Sequence, residues 1–289
     1  MTPLCDLLTG EYLGFPGGLY PGGQNSRPLA YEQLGIALAA RVQPLDKEGK
    51  ASAAGRIALL AIGMSNTSHE FSRFMRLVAG NSRINPKLVL IDAAVNGASA
   101  KDIAVASGDY WLHVKRQLER AETWPGQVQA VWLKTALAHE APGFPEKARL
   151  LQQALRSIVQ ILRRKLPQLK LVYLSSRTYG GYSETDLSPE PIAYESGFAV
   201  KWLIEERISD ERPEGSTPWL SWGPYLWANG MRPRKDGFTW ERNDFEPDGV
   251  HPSEQGALKV ATSLLQFFEN DPTARPWFLS ASSRSLSTS

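Results

Sequence analysis

Two short stretches, far apart in the chain, hold residues whose types and spacing do chemistry. The first is Gly63-Met64-Ser65-Asn66. The apolar run Ile57 to Ile62 leads into it, and small polar residues followed by an amphipathic pattern lead out. That order reads as a buried strand, a tight turn and the start of a helix. A serine at such a junction has two roles open to it. Its hydroxyl can cap the helix, a position that Ser, Asn and Thr all favour. Or it can act as a nucleophile, beside backbone N–H groups that the helix leaves unpaired and that suit an oxyanion. The second stretch is Asp248-Gly249-Val250-His251-Pro252-Ser253. An aspartate three residues before a histidine in a tight turn can reach one ring nitrogen and leave the other facing outward as a base. The alternative is a solvated turn in which Ser253 merely caps the final helix. Of the other histidines, His69 follows the first stretch, His113 falls within a helical pattern, and His139 sits beside Glu140 in a loop with no second histidine at ligand spacing. The single cysteine, Cys5, excludes a disulfide framework and any multi-cysteine metal site. Neither metal nor cofactor is expected.

The elements that must position these groups alternate along the chain. Apolar segments at Ile57 to Ile62, Leu88 to Ile91, Val128 to Leu133 and Leu171 to Ser175 read as strands, with a fifth inside Pro218 to Trp227. Between and after them, apolar residues at helical spacing predict helices over Thr67 to Val78, Asp109 to Arg120, Glu146 to Leu166, Ile192 to Ile208 and Ser253 to Phe268. Strands alternating with helices predict βαβ units around a parallel sheet covered on both faces, an α/β/α sandwich. Such sheets bind ligands beyond the carboxyl ends of their strands. Ser65, Gly97, Lys134 and Arg177 each follow a strand and should gather at that edge.

The N-terminal 55 residues are rich in Gly and Pro (Gly10, Gly14, Pro16-Gly17-Gly18, Pro21-Gly22-Gly23), which marks a looping arm. Its interleaved Tyr12, Phe15, Leu19 and Tyr20 predict that it packs on the body, with a helix over Tyr31 to Val42. The expected division is an arm over 1–55, the α/β/α domain over 56–272 and a Ser-rich tail over 273–289, disordered from Ser280 to Ser289. With 32 basic and 30 acidic residues the net charge is +2, which points to neither a nucleic-acid nor a membrane partner. No apolar run nears the ~20 residues that span a bilayer, and no signal peptide is visible at the N-terminus. Of nine tryptophans, Trp219, Trp222 and Trp227 cluster with Tyr225. They read either as core or as an aromatic wall for a sugar.

Together the two stretches resemble the SGNH, or GDSL-type, hydrolase family. Its first block, Gly-Asp-Ser, is similar to Gly63-Met64-Ser65-Asn66, with Met64 where the family has aspartate. Its last block, Asp-x-x-His-Pro-Ser, is intact as Asp248 to Ser253. Val95-Asn96-Gly97-Ala98-Ser99-Ala100 resembles the second block, most of all that of rhamnogalacturonan acetylesterases. No Gly-x-Ser-x-Gly elbow of the α/β-hydrolase kind is present. The resemblance covers about residues 56–269 and implies a flavodoxin-like parallel sheet, a serine esterase for O-acyl esters, plausibly acetyl groups on carbohydrates, and action outside the cytosol. It implies Ser65 as nucleophile, His251 as base, Asp248 as its orienting partner, and the N–H groups of Ser65 and Gly97 as oxyanion donors. The third block, Gly-x-Asn after the third strand, is absent. Lys134 stands at the glycine and Ala136 at the asparagine. Lys134 is the expected substitute donor, with Asn66 or Asn96 as alternatives. Without a substitute, the fold would serve as a catalytically weak carbohydrate-binding protein. Arg177, Tyr179, Tyr182, Trp222, Tyr225 and Trp227 are candidates to line the pocket. Arg177 would pair a substrate carboxylate such as that of a uronic acid, or else Glu195 in a structural ion pair.

Overall fold

The computed structural model describes residues 1–137, 142–210 and 217–285. Its five main strands are β1 (Ile57–Gly63), β2 (Leu88–Asp92), β3 (Val128–Lys134), β4 (Leu171–Leu174) and β5 (Trp219–Trp222). They form one sheet in the order β2-β1-β3-β4-β5, every pairing parallel. Leu60 lies between Ile91 and Val131, and Tyr173 between Trp132 and Ser221. All residues of β1 and β3 are buried, as parallel strands covered on both faces require.

Side chains that alternate along a strand enter opposite layers. Ala58, Leu60 and Ile62 of β1 join one core with α3 (Asp109–Arg120), α4 (Glu146–Lys165) and α5 (Ile192–Ile208). Ile57, Leu59 and Ala61 join the other, with α1 (Leu29–Ala40), α2 (Ser65–Val78) and α6 (Glu254–Asn270). The result is the three-layer α/β/α sandwich that the pattern of apolar residues predicts. Ser253 caps α6, its hydroxyl accepting the Gly256 N–H at 3.2 Å.

Both ends of the chain enter the core more deeply than their composition suggests. In the arm, Leu4 is fully buried, and the Tyr20 hydroxyl shares a 2.8 Å hydrogen bond with Ser221 of β5. At the other end, the expected tail boundary at 273 is corrected. Ala274, Trp277, Phe278 and Leu279 are buried in the core layer with Phe74 and Phe268, and Ser280 N–H donates to the Arg83 carbonyl at 2.8 Å. A run of serines hides this in the composition, but two aromatic rings on the turn Arg275–Phe278 have enough apolar area to dock it. Ala281–Ser285 is helical rather than disordered. His139 and residues 286–289 lie outside the described residues.

Candidate active site

The nucleophile candidate is placed by β1 and α2. Gly63 ends β1 where β1 and α2 meet β3, and a Cβ there would lie 2.1 Å from the Lys134 carbonyl and 2.3 Å from Thr67 Oγ1. The Tyr110 hydroxyl accepts the Gly63 N–H at 2.9 Å and donates to its carbonyl at 3.2 Å. Three side chains then moor the first turns of α2. Thr67 Oγ1 donates to the Lys134 carbonyl at 2.6 Å, Ser68 Oγ to Asp92 at 2.6 Å, and Asn66 Nδ2 to the Val250 carbonyl at 2.8 Å. Ser65 is the first helical residue and not the cap. The cap position is Met64, which makes no side-chain capping bond. Of the two roles open to Ser65, capping is therefore set aside.

The Ser65 hydroxyl lies 2.9 Å from His251 Nε2. On the other side of the ring, His251 Nδ1 is 2.5 Å from Asp248 Oδ2. Asp248 Oδ1 accepts the Val250 N–H at 2.9 Å and the His251 N–H at 3.0 Å, so the turn folds around its own carboxylate. Burial pushes the Asp248 carboxyl up. The bonds from His251 and the two backbone N–H groups outweigh it and hold the group below the usual carboxylate range. Gly249 has φ +67°, and a Cβ there would meet the Tyr182 carbonyl at 1.7 Å, so only glycine fits this turn.

These groups open on a cavity of about 450 Å³, within the usual range for small-ligand sites. Apolar side chains from Met64, Ala98, Ala136, Leu137, Leu187 and Val250 line it, and Asn66, Asn96, Gly97 and Arg177 are polar members of the wall. The N–H groups of Ser65 and Gly97 make no hydrogen bond to another described residue. Ala136 lies on the cavity wall with only a methyl group to offer. His69 borders the cavity, its ring 5.8 Å from that of His251, a neighbour that the reading of the motifs did not single out.

Several expected site residues stand elsewhere. Lys134 is fully buried, and its ammonium is bound to both carboxylate oxygens of Glu70 on α2, the longer contact being 2.6 Å. It does not line the cavity, so its expected role as oxyanion donor is corrected to half of an internal ion pair. Burial alone pushes the Glu70 carboxyl up, against the pull of Lys134. Trp222, Tyr225 and Trp227 are core residues, not a ligand wall. Their polar tips meet the Leu19 carbonyl at 2.7 Å, the Leu4 N–H at 3.1 Å and Glu190 at 2.7 Å. Tyr179 and Tyr182 pack edge to face at 5.1 Å, outside the cavity. The alternative partner for Arg177, Glu195, instead accepts the Tyr12 hydroxyl at 2.9 Å, and no Arg177–Glu195 ion pair forms. Among the described residues no cluster of His, Cys, Asp and Glu fit to hold a metal is found, and no helix is long and apolar enough to cross a membrane.

No protein-family model matches the chain, and no curated protein matches it in sequence. Among solved structures it is similar to a family 3 carbohydrate esterase from Talaromyces cellulolyticus, at 13% identity over 72% of this chain and 94% of that one, with a TM-score of 0.44. It is similar to an acetylxylan esterase from Geobacillus stearothermophilus, solved as a catalytic mutant, at 15% identity, 78% and 97% coverage and a TM-score of 0.42. A GDSL-like lipase from Bacteroides thetaiotaomicron aligns at 12% identity, with 82% and 95% coverage and a TM-score of 0.39. These are likenesses of fold between chains with little sequence in common.

Proposed function

We propose that the protein is a serine esterase that hydrolyses O-acyl esters through Ser65, His251 and Asp248. The observation that carries the reading is the continuous hydrogen-bonded line from the Ser65 hydroxyl through both ring nitrogens of His251 to Asp248, at 2.9 and 2.5 Å, beside a cavity. A serine hydroxyl needs a base to attack, and an imidazole needs its other nitrogen held to act as one.

In the first half-reaction Ser65 Oγ attacks the ester carbonyl carbon while its proton passes to His251 Nε2. The N–H groups of Ser65 and Gly97 donate to the oxyanion. The bond to the alcohol oxygen then breaks, and His251 returns the proton to that oxygen. In the second half, water gives a proton to His251 and its oxygen bonds to the acyl carbon. The bond to Ser65 Oγ breaks, Oγ recovers the proton, and the acid leaves. The sum is ester plus water to acid plus alcohol, with Asp248 steadying the imidazolium in both halves. An acetyl group on a carbohydrate is the substrate that the motif resemblance favours. The competing reading, a sugar-binding protein without catalysis, drew on the missing third-block asparagine and on Trp222 and Trp227 as its sugar wall; both tryptophans are in the core, and with Lys134 paired to Glu70 the substitute donor falls to Asn96 on the cavity wall.

The test is hydrolysis of p-nitrophenyl acetate by wild type and Ser65→Ala at equal folded concentration. Turnover that Ser65→Ala reduces by at least 10³-fold, the scale of a lost triad, supports the esterase. Equal rates in both would overturn it.

A further inference from the structure

Building on the esterase reading, we propose that the ester this site accepts carries a carboxylate, held by the guanidinium of Arg177. Arg177 is 3% exposed and borders the same cavity as Ser65 and His251. Its Nε is buried without a hydrogen-bond partner. Among the described residues its guanidinium makes no hydrogen bond or ion pair. Only its backbone is tied, the N–H donating to Ser196 Oγ at 3.1 Å.

The carboxylates around Arg177 are committed elsewhere. Glu70 belongs to Lys134. Glu190 accepts the Gly180 N–H at 2.8 Å, the Trp227 indole at 2.7 Å and the Tyr194 N–H at 3.1 Å. Asp248 holds His251, and Glu195 holds Tyr12. Glu246 also borders the cavity but is exposed to water. Guanidinium keeps its charge in proteins, and a buried charge without a partner is costly unless something pairs it. Burial here pushes the Arg177 guanidinium down from its usual value, against the pull of Glu70, Glu190 and Asp248. A buried planar cation with an unpaired donor, bordering the cavity, is a receptor for a carboxylate.

The sheet sets the distance. Arg177 follows β4 and Ser65 follows β1, two steps apart through β3, or about 10 Å at the usual strand spacing. An arginine side chain is long enough to span part of that gap. The carboxylate therefore sits a few bonds from the scissile ester, on either side of it. An acylated uronic acid places it on the alcohol, and the half-ester of a short dicarboxylic acid places it on the acyl group.

Kinetics of wild type and Arg177→Gln on matched pairs test this. Mono-p-nitrophenyl glutarate against p-nitrophenyl acetate probes the acyl side. O-acetylated galacturonic acid against O-acetylated galactose probes the alcohol side. In at least one pair, wild type is expected to favour the acidic ester tenfold or more in kcat/KM, carried by KM, and Arg177→Gln to remove that preference. No acidic preference in wild type overturns the proposal. So does a preference that Arg177→Gln retains, or a parallel loss of kcat on both members of a pair, which makes Arg177 an oxyanion donor. Wild type alone decides if Arg177→Gln does not fold. A second measurement needs no turnover. Galacturonate or glutarate, but not galactose, should raise the Tm of Ser65→Ala, and Arg177→Gln should abolish the rise. A rise without Ser65-dependent turnover would remove the esterase and keep the carboxylate receptor. No rise with either acid would overturn the receptor.

Discussion

The Lys134–Glu70 pair allows the role of Lys134 to be measured. Both side chains are fully buried, and the ammonium spans both carboxylate oxygens. Breaking such a pair leaves an uncompensated charge inside and costs about 3–5 kcal/mol, a large part of the ~5–15 kcal/mol that holds a domain together. The surroundings make the two halves unequal. Arg177 lies within electrostatic reach of both partners. Lys134→Met leaves Glu70 facing the Arg177 cation, which offsets part of the loss. Glu70→Gln leaves two buried cations with no shared carboxylate, and is expected to be the more destabilising. The double variant Glu70→Leu/Lys134→Met removes both charges and should recover at least half of the stability lost in Glu70→Gln. Urea unfolding of the four proteins measures this. Kinetics per folded molecule supplies the other half. An internal ion pair predicts that Lys134→Met loses stability but less than about tenfold in kcat, whereas loss of an oxyanion donor costs 10²–10³. A hundredfold loss of kcat with a stability change below about 1 kcal/mol would refute this account and restore Lys134 as a donor.

Asp248 supplies a pH dependence. Its carboxyl is held below its unfolded value of 3.8, so its share of stability is present above that value and is lost as pH falls through the lowered one. The Tm gap between wild type and Asp248→Asn should therefore be widest near neutrality and close below pH 3.8, while kcat of Asp248→Asn should drop by roughly 10³–10⁴. A gap that does not change with pH would contradict the carboxylate's bonding. Burial, with help from Asp6 and Asp236, pushes the Cys5 thiol up to about 12. Since only the thiolate reacts, DTNB should label native protein at pH 8 roughly a thousandfold more slowly than unfolded protein, given a free-thiol pKa of ~8.5. Equal rates would mean that Cys5 is not sheltered.

Much of this was open to reading from the residues, for a physical reason. Strands buried on both faces are continuous apolar runs, and their ends set one edge of the sheet. That edge gathers Ser65, Gly97 and Arg177. What escaped depends on partners distant in the chain. Lys134 stands at a strand end and reads as a donor until Glu70 is seen to share the inner stripe of α2 with Thr67, Phe71 and Phe74. A carboxylate in an apolar stripe was the signal available. The tryptophans of β5 suggested a binding wall because the arm that covers them is so rich in glycine. Its Leu19 carbonyl accepts the Trp222 indole, and Leu4 and Tyr20 bond the neighbouring Tyr225 and Ser221.

The bond from Asn66 to the Val250 carbonyl and the one from Ser65 to His251 join residues 184 and 186 positions apart. During synthesis the hydroxyl emerges early and its base emerges late. The turn that carries His251 leads into α6, which shares one core layer with α2 and the aromatic turn at Trp277. A nascent or prematurely ended chain thus has a serine but no base to activate it. In the proposed mechanism ester cleavage is a readout of completed folding, because chains that stop short of His251 lack the proposed base.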